Sequence, residues 1–246
     1  MALTQSSDPE LRIERLTWPE IEKAIAEGRR RVVICAASSE QHGPHLPEAT
    51  DAMIGEELSV RLARRLGDAL VAPVIRPGCS DHHLGFAGTI SISPELLMSL
   101  LDAYVASLRR HGFERFAVIS SHGGNYPVLA RWQPADRSGV TVAADVDGFT
   151  GAMLNGLREH GREDRTIPHA DGSETAEMLV IAPELVHLDR AATGFVGDLD
   201  LETLLSRGMR ALTANGVLGE PVGVTAAMGE TVLERVVDYL VSGVDG

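Results

Sequence analysis

An α/β fold with a largely parallel sheet follows from three features of the sequence. Short apolar runs alternate with stretches of helical periodicity, the pattern of a sheet covered by helices on both faces. Hydrophobic residues make up 44% of the 246 positions, enough to bury such a sheet. Loops rich in His, Gly and acidic residues follow the apolar runs directly, at the strand ends where open parallel sheets bind ligands. No linker divides the chain, so one domain is expected over residues 1–246, with residues 1–10 a flexible tail.

In chain order, Thr17-Trp18-Pro19-Glu20 reads as a capping box whose helix ends near Glu27, at Gly28. Residues 32–37, Val-Val-Ile-Cys-Ala-Ala, form a buried strand. Over 52–66, Met53, Ile54, Leu58, Leu62 and Leu66 recur at helical spacing. Residues 69–74 give a second strand, kept short by Pro73. Ser93-Pro94 is an N-cap followed by a first-turn proline and opens the strongest helix. Its buried side is expected to carry Leu96, Leu97, Leu100, Leu101, Tyr104 and Leu108, and Gly112 is its stop. Residues 116–120 and 140–144 are the third and fourth strands. Helices are expected over 146–160, 174–182 and 228–241.

Composition excludes several classes. A formal charge of -13 would repel nucleic acid and anionic membranes, so neither is an expected partner. Two cysteines, Cys35 and Cys79, make no disulfide framework and fit a reducing compartment. The first residues lack the basic and apolar regions of a signal peptide. No stretch reaches the roughly 18 apolar residues that span a bilayer. A soluble, cytoplasmic protein is expected.

Chemistry concentrates in residues 39–51, Ser-Glu-Gln-His-Gly-Pro-His-Leu-Pro-Glu-Ala-Thr-Asp, directly after the first strand. Glu40 and His42 point to one side if the backbone is extended, and Gly43, Pro44 and Pro47 turn the chain so that Asp51 can return beside them. Carboxylate with imidazole suits zinc, manganese or iron, and a carboxylate can bridge two such ions. A solvated surface loop is the plain alternative.

The nine histidines divide into two groups. His111, His160 and His187 sit at or beyond predicted helix C-termini, where the helix dipole explains them. His42, His45, His82, His83, His122 and His169 fall instead in four loops rich in Gly, Pro, Asp or Ser. His82 or His83 can line a pocket beside Ser80, or both can be solvated. After the third strand, His122 is a candidate ligand; Gly123 and Gly124, before Asn125, either stabilise an oxyanion through their N–H groups or simply make a tight turn. Glu174 lies in the first turn of a predicted helix, as a ligand or as a dipole-stabilised acid. Phosphate-loop, nucleophile-elbow and His-Glu-x-x-His signatures are absent from the sequence.

Together these loops resemble the creatininase family of metal-dependent amidohydrolases. The resemblance rests on residues 40–47 with Thr50-Asp51, Gly88-Thr89-Ile90-Ser91, His122-Gly123-Gly124-Asn125, His169-Ala170 with Glu174-Thr175, and the Gly-rich residues 215–221. It spans roughly residues 15 to 240. It implies a three-layer α/β sandwich, two divalent metal ions and a homo-oligomer, often a hexamer. By position, Glu40, His42, Asp51 and His122 resemble metal ligands, with Asp51 bridging. Glu174 resembles a further ligand, since Gly124 stands where creatininase has a glutamate, and His169 resembles the proton shuttle. His83, Ser80, Gly123, Gly124 and Asn125 are the expected substrate-binding residues.

The resemblance also implies a reaction, attack of a metal-bridging hydroxide on an amide carbonyl. Creatinine is a poor candidate substrate. Residues 133–246 contain no tryptophan, whereas creatininase closes over creatinine with tryptophans from this region, and Pro168 replaces an acidic residue. A cyclic amide, a formamide or a short peptide remains. Residues 215–221 read close to the branch that releases a C-terminal dipeptide in mycofactocin maturation. Ser120-Ser121 and Ala87 depart from the family pattern, and they are what supports the alternative of a non-catalytic metal-binding scaffold.

Overall fold

The computed structural model describes residues 9–163 and 168–244. Residues 1–8 of the expected tail lie outside the described residues; Glu10 is tied down, accepting from the Leu11 and Arg12 N–H groups. The first helix, α1 (Trp18–Ala26), begins at the expected capping box, where the Thr17 N–H donates to the Glu20 carboxylate at 2.7 Å. Strand β1 (Arg31–Ala36) follows, then α2 (Thr50–Leu66), which ends at left-handed Gly67. Next come β2 (Ala69–Val71), α3 (Pro94–Arg109), β3 (Arg115–Ser120) and the short α4 (Tyr126–Leu129). After β4 (Val140–Val142) the chain is helical: α5 (Val146–Arg158), α6 (Gly172–Ile181), α7 (Leu201–Arg207), α8 (Met209–Leu212) and α9 (Ala226–Val244). No helix among the described residues is long and apolar enough to cross a membrane.

The four strands are all parallel, in the order β2-β1-β3-β4. The chain moves outward from β1 to β2, then returns to the other side of β1 with β3. Strand order therefore reverses between β1 and β3, and a crevice opens beyond their carboxyl ends. Ala36 and Ser120 are in register at that point, and the Ser120 hydroxyl donates to the Ala36 carbonyl at 2.7 Å. Helices α2 and α9 pack on the sheet, and α5 and α6 pack on α9.

Two readings of the sequence change here. The buried line of α3 is Leu97, Leu101 and Val105, one residue every turn, while Leu96 at the first turn is 49% exposed. Leu100, Tyr104 and Leu108 only flank the core. Helices α7 and α8 carry no strong periodicity and were not anticipated. They are held by a separate small cluster of Leu204, Met209 and Leu218, with Phe86, Phe195 and Leu199 around it.

Gly55 sets how closely α2 approaches the sheet ends. A Cβ there would lie 2.7 Å from both Cys35 Sγ and Ser121 Oγ, two buried atoms with little room to move. Gly55→Val should cost about 1–3 kcal/mol through overpacking, although leaving glycine normally favours a helix. A urea midpoint equal to or above that of the parent would contradict this account of the α2 contact.

Candidate metal centre

Glu40 follows β1 in a loop closed by its own N–H, which donates to the Glu48 carbonyl at 3.0 Å. Its side chain is fully buried. Oε2 accepts from the Ser38 hydroxyl at 3.0 Å, while Oε1 has no hydrogen-bond partner and faces His122 Nδ1 at 3.2 Å and His83 Nε2 at 3.3 Å. His42 Nδ1 lies 3.0 Å from the Glu40 carbonyl oxygen, which only accepts, so Nδ1 carries the proton. Its Nε2 is thereby presented to Asp51 Oδ1 at 3.2 Å and to Glu174 Oε2 at 3.6 Å.

Asp51 comes from the first turn of α2, and its backbone carbonyl accepts from the Ser121 hydroxyl at 2.7 Å. Its Oδ2, also without a hydrogen-bond partner, lies 3.3 Å from His122 Nδ1. His122 Nε2 approaches the Cys79 carbonyl at 3.2 Å, so that nitrogen carries the proton and Nδ1 faces inward. Glu174 projects from the first turn of α6, behind the N-cap Asp171. Its Oε2 accepts from the Ala170 N–H at 2.5 Å. Ala170 has φ +51°, the one positive value at a non-glycine among the described residues, and such a conformation costs on the order of 1–3 kcal/mol. The strain sits between His169 and the cap that aims Glu174.

Three buried carboxylates share this space, and no Lys or Arg is among the described residues lining it. Their field dominates the neighbouring imidazoles. Burial works against a charged His42, yet Asp51, Glu174 and Glu40 outweigh it and raise its pKa to about 10. His122 is raised in the same sense, mainly by Glu40 against its burial. Burial, opposed by His42, lifts Glu174 to about 8. The chain itself supplies positive charge only by protonating histidines. Divalent cations fit the site better: the orphaned Glu40 Oε1 and Asp51 Oδ2 gain partners, and inward-facing imidazole nitrogens become ligands. Three sets of ligand atoms lie close enough to hold an ion, Glu40/Asp51/His122, His42/Asp51/Glu174 and Glu40/His42/His169.

The centre floors a cavity of about 270 Å³. Of the residues expected to bind substrate, His83, Gly123 and Gly124 line it, and His82 and Pro168 lie beside them. Ser80 and Asn125 do not line the cavity. Ser80 lies behind His122, its hydroxyl 2.5 Å from that of Ser38 and 3.3 Å from His122 Nε2. Asn125 clamps the loops, donating to the Ala36 and Ala37 carbonyls and accepting from the Cys79 N–H. At Gly124 a Cβ would overlap the Cys79 carbonyl oxygen, so any larger residue would force that loop to move. Ser120 and Ser121 serve the site, binding the Ala36 and Asp51 carbonyls.

His169 lies against His42, with ring centroids 4.5 Å apart, and its Nδ1 is 3.8 Å from Glu40 Oε1. The Gly-rich residues 215–221 hold it, through an antiparallel bridge between His169 and Leu218. The cavity walls were not legible in the sequence. They come from Phe149 and Met153 on α5 and from Leu199, Leu201 and Leu204 around α7. Gln41, between Glu40 and His42, gives no signal of its own in the sequence.

A family model described as creatinine amidohydrolase matches residues 14–244. The chain belongs to the creatininase family. A mycofactocin precursor peptide peptidase of Mycobacterium ulcerans is 34% identical over 244 residues, covering 92% of this chain and 84% of the relative. The creatinine amidohydrolase of Pseudomonas putida is 27% identical over 194 residues, covering 72% of this creatininase-family chain and 74% of its own. Among solved structures, a creatinine amidohydrolase (creatininase) aligns with TM-score 0.74 at 25% identity, covering 96% of each chain. A mutant creatininase of Zn-Zn type aligns with TM-score 0.76 at 25% identity, covering 96% and 97%. The relatives carry the names of a peptidase and an amidohydrolase, and this family member is a hydrolase of C–N bonds.

Glu174 gives the centre a pH signature when metal is removed. Its folded pKa of about 8 exceeds its ordinary value of 4.5, so the stability it contributes is complete below 4.5 and lost as pH rises through about 8. In chelator, the Glu174→Gln protein should gain thermal midpoint relative to the parent between roughly pH 5 and pH 9. A difference that stays flat across that range would show Glu174 to be solvated.

Proposed function

We propose that this chain is a dinuclear metal-dependent amidohydrolase that cleaves a non-creatinine amide, closest in substrate type to the mycofactocin precursor peptidases. One observation carries the reading: Asp51 turns Oδ1 to His42 and Oδ2 to His122, and so is common to two ligand triads. Glu40, Asp51 and His122 would hold one divalent ion, and His42, Asp51 and Glu174 the other. Zinc, manganese and iron all accept such donors. Ions held there would lower the pKa of a water from about 15.7 to about 7 and would polarise an amide carbonyl.

The chain's own groups do the rest. His169, kept neutral at rest by burial and by the neighbouring His42, takes up a proton at Nδ1 and returns it to the leaving nitrogen, which is otherwise expelled as a very poor amide anion. Gly123 and Gly124 border the cavity, and an N–H group of either would stabilise a carbonyl oxygen that gains charge there. Phe149, Met153, Leu201 and Leu204 exclude water and offer an apolar surface to the substrate. A phosphorylated formamide would meet no Lys or Arg among the described lining residues, which favours a peptide or cyclic amide. Assembly into a homo-oligomer and a cytoplasmic site of action belong to the same proposal; the free thiols Cys35 and Cys79 support the latter.

Metal analysis combined with hydrolysis of a panel of lactams, formamides and short peptides tests the reading. Asp51→Ala should lose most bound metal and activity together, and a variant that retains both contradicts the bridge. His169→Ala should keep its metal but lose about 10²–10⁴-fold in turnover. Loss of metal in that variant would make His169 a ligand.

A further inference from the structure

Gln41 is a buried amide that touches two of the site histidines. Its Nε2 lies 3.0 Å from His83 Nδ1, 2.9 Å from His169 Nε2 and 3.1 Å from the Gly216 carbonyl oxygen. Its Oε1 accepts from the Gly43 N–H at 3.0 Å, which fixes the end of the amide that faces the histidines. Gly43 (φ +64°) and Gly216 (φ +78°) close over it, and a Cβ on Gly216 would overlap Oε1. The amide has no room to turn.

Proton counting assigns the histidines. The amide nitrogen has two hydrogens, and the Gly216 carbonyl, which only accepts, takes one. His169 Nε2 also lies 2.9 Å from the backbone carbonyl of Gln41, so a proton on that nitrogen has its acceptor there. The second amide hydrogen then goes to His83 Nδ1, which must be bare; the amide nitrogen and His169 Nε2, 2.9 Å apart, are two donors directed at different acceptors. His83 consequently carries its proton on Nε2, 3.3 Å from Glu40 Oε1, and His169 turns a bare Nδ1 toward the same oxygen at 3.8 Å. In the opposite assignment His169 Nε2 takes an amide hydrogen. The Gln41 carbonyl then loses that donor, and either Gly216 or His83 Nδ1 goes without one. Unmade hydrogen bonds of this kind, away from water, cost about 1–3 kcal/mol each.

We propose that residue 41 sets both tautomers, its side-chain amide that of His83 and its backbone carbonyl that of His169. His83 then presents its proton at Nε2, 3.3 Å from Glu40 Oε1, and His169 keeps a bare Nδ1 toward the same oxygen. Substrate is out of reach of Gln41, a positioning residue that acts through the two rings. The kinetic consequence rests on the amidohydrolase reading above, whereas the tautomers do not.

Long-range proton–nitrogen spectra of the histidine rings, recorded with and without zinc, test this directly on the full chain. The wild-type protein should show His83 and His169 both protonated at Nε2 and bare at Nδ1. A Gln41→Glu carboxylate has only acceptors to offer, so the His83 proton should move to Nδ1. With the amide panel, Gln41→Glu and Gln41→Met should lower kcat by about 10–100-fold, with KM and bound metal changed less than about twofold. A wild-type His83 protonated at Nδ1 overturns the proposal without any variant having to fold. So does Gln41→Glu protein that keeps the wild-type tautomers. Correct tautomers in a protein that hydrolyses none of the amides would leave the Gln41 assignment standing and sink the functional reading instead.

Discussion

The molecule depends on the burial of Glu40, Asp51 and Glu174 in one small space beyond the sheet. Withdrawing a carboxylate from water costs on the order of several kcal/mol even in a relaxed protein interior, and like charges raise the cost further. The chain offsets part of it with imidazolium at His42 and His122, with the Ser38 hydroxyl on Glu40 and with the Ala170 N–H on Glu174. Two carboxylate oxygens still lack hydrogen-bond partners. Glu40 and Asp51 stay ionised there while Glu174 is held neutral until about pH 8, and a site of this kind is suited to cations.

Much of the surrounding fold can be understood as support for that site. The reversal of strand order between β1 and β3 creates the crevice, and glycine at position 55 lets α2 approach until Asp51 lies within reach of His122. Ser120, Ser121 and Asn125 tie the β1 and β3 loops together through backbone carbonyls. Residues 215–221, remote in sequence, brace His169 and enclose Gln41. Each contact orients a loop that bears candidate ligands, in the way that outer partners tune a metal site.

The walls follow a different logic. Floor and scaffold use short polar side chains at fixed distances; the walls use Phe149, Met153, Leu201 and Leu204, whose shape decides what fits. Helices α7 and α8 carry part of this wall on their own small apolar cluster, so the substrate-facing side can vary while the main core stays intact.

The sequence by itself determined the parallel sheet, the capped starts of α1 and α3, and the loops that hold the ligands, because strand runs, capping boxes and turn residues are local signals. It also carried Glu40, His42, Asp51, His122, His169 and Glu174 as candidates, through residue chemistry and a resemblance of motifs. Tertiary structure alone decided the rest. That Asp51 divides its two oxygens between two histidines, that Ser80 and Asn125 brace loops, and that Gln41 reaches both His83 and His169 are facts of side-chain direction across long sequence separations. The same holds for α7, α8 and the exposure of Leu96: an apolar residue shows its pattern in the sequence, but which neighbour covers it depends on how distant segments pack.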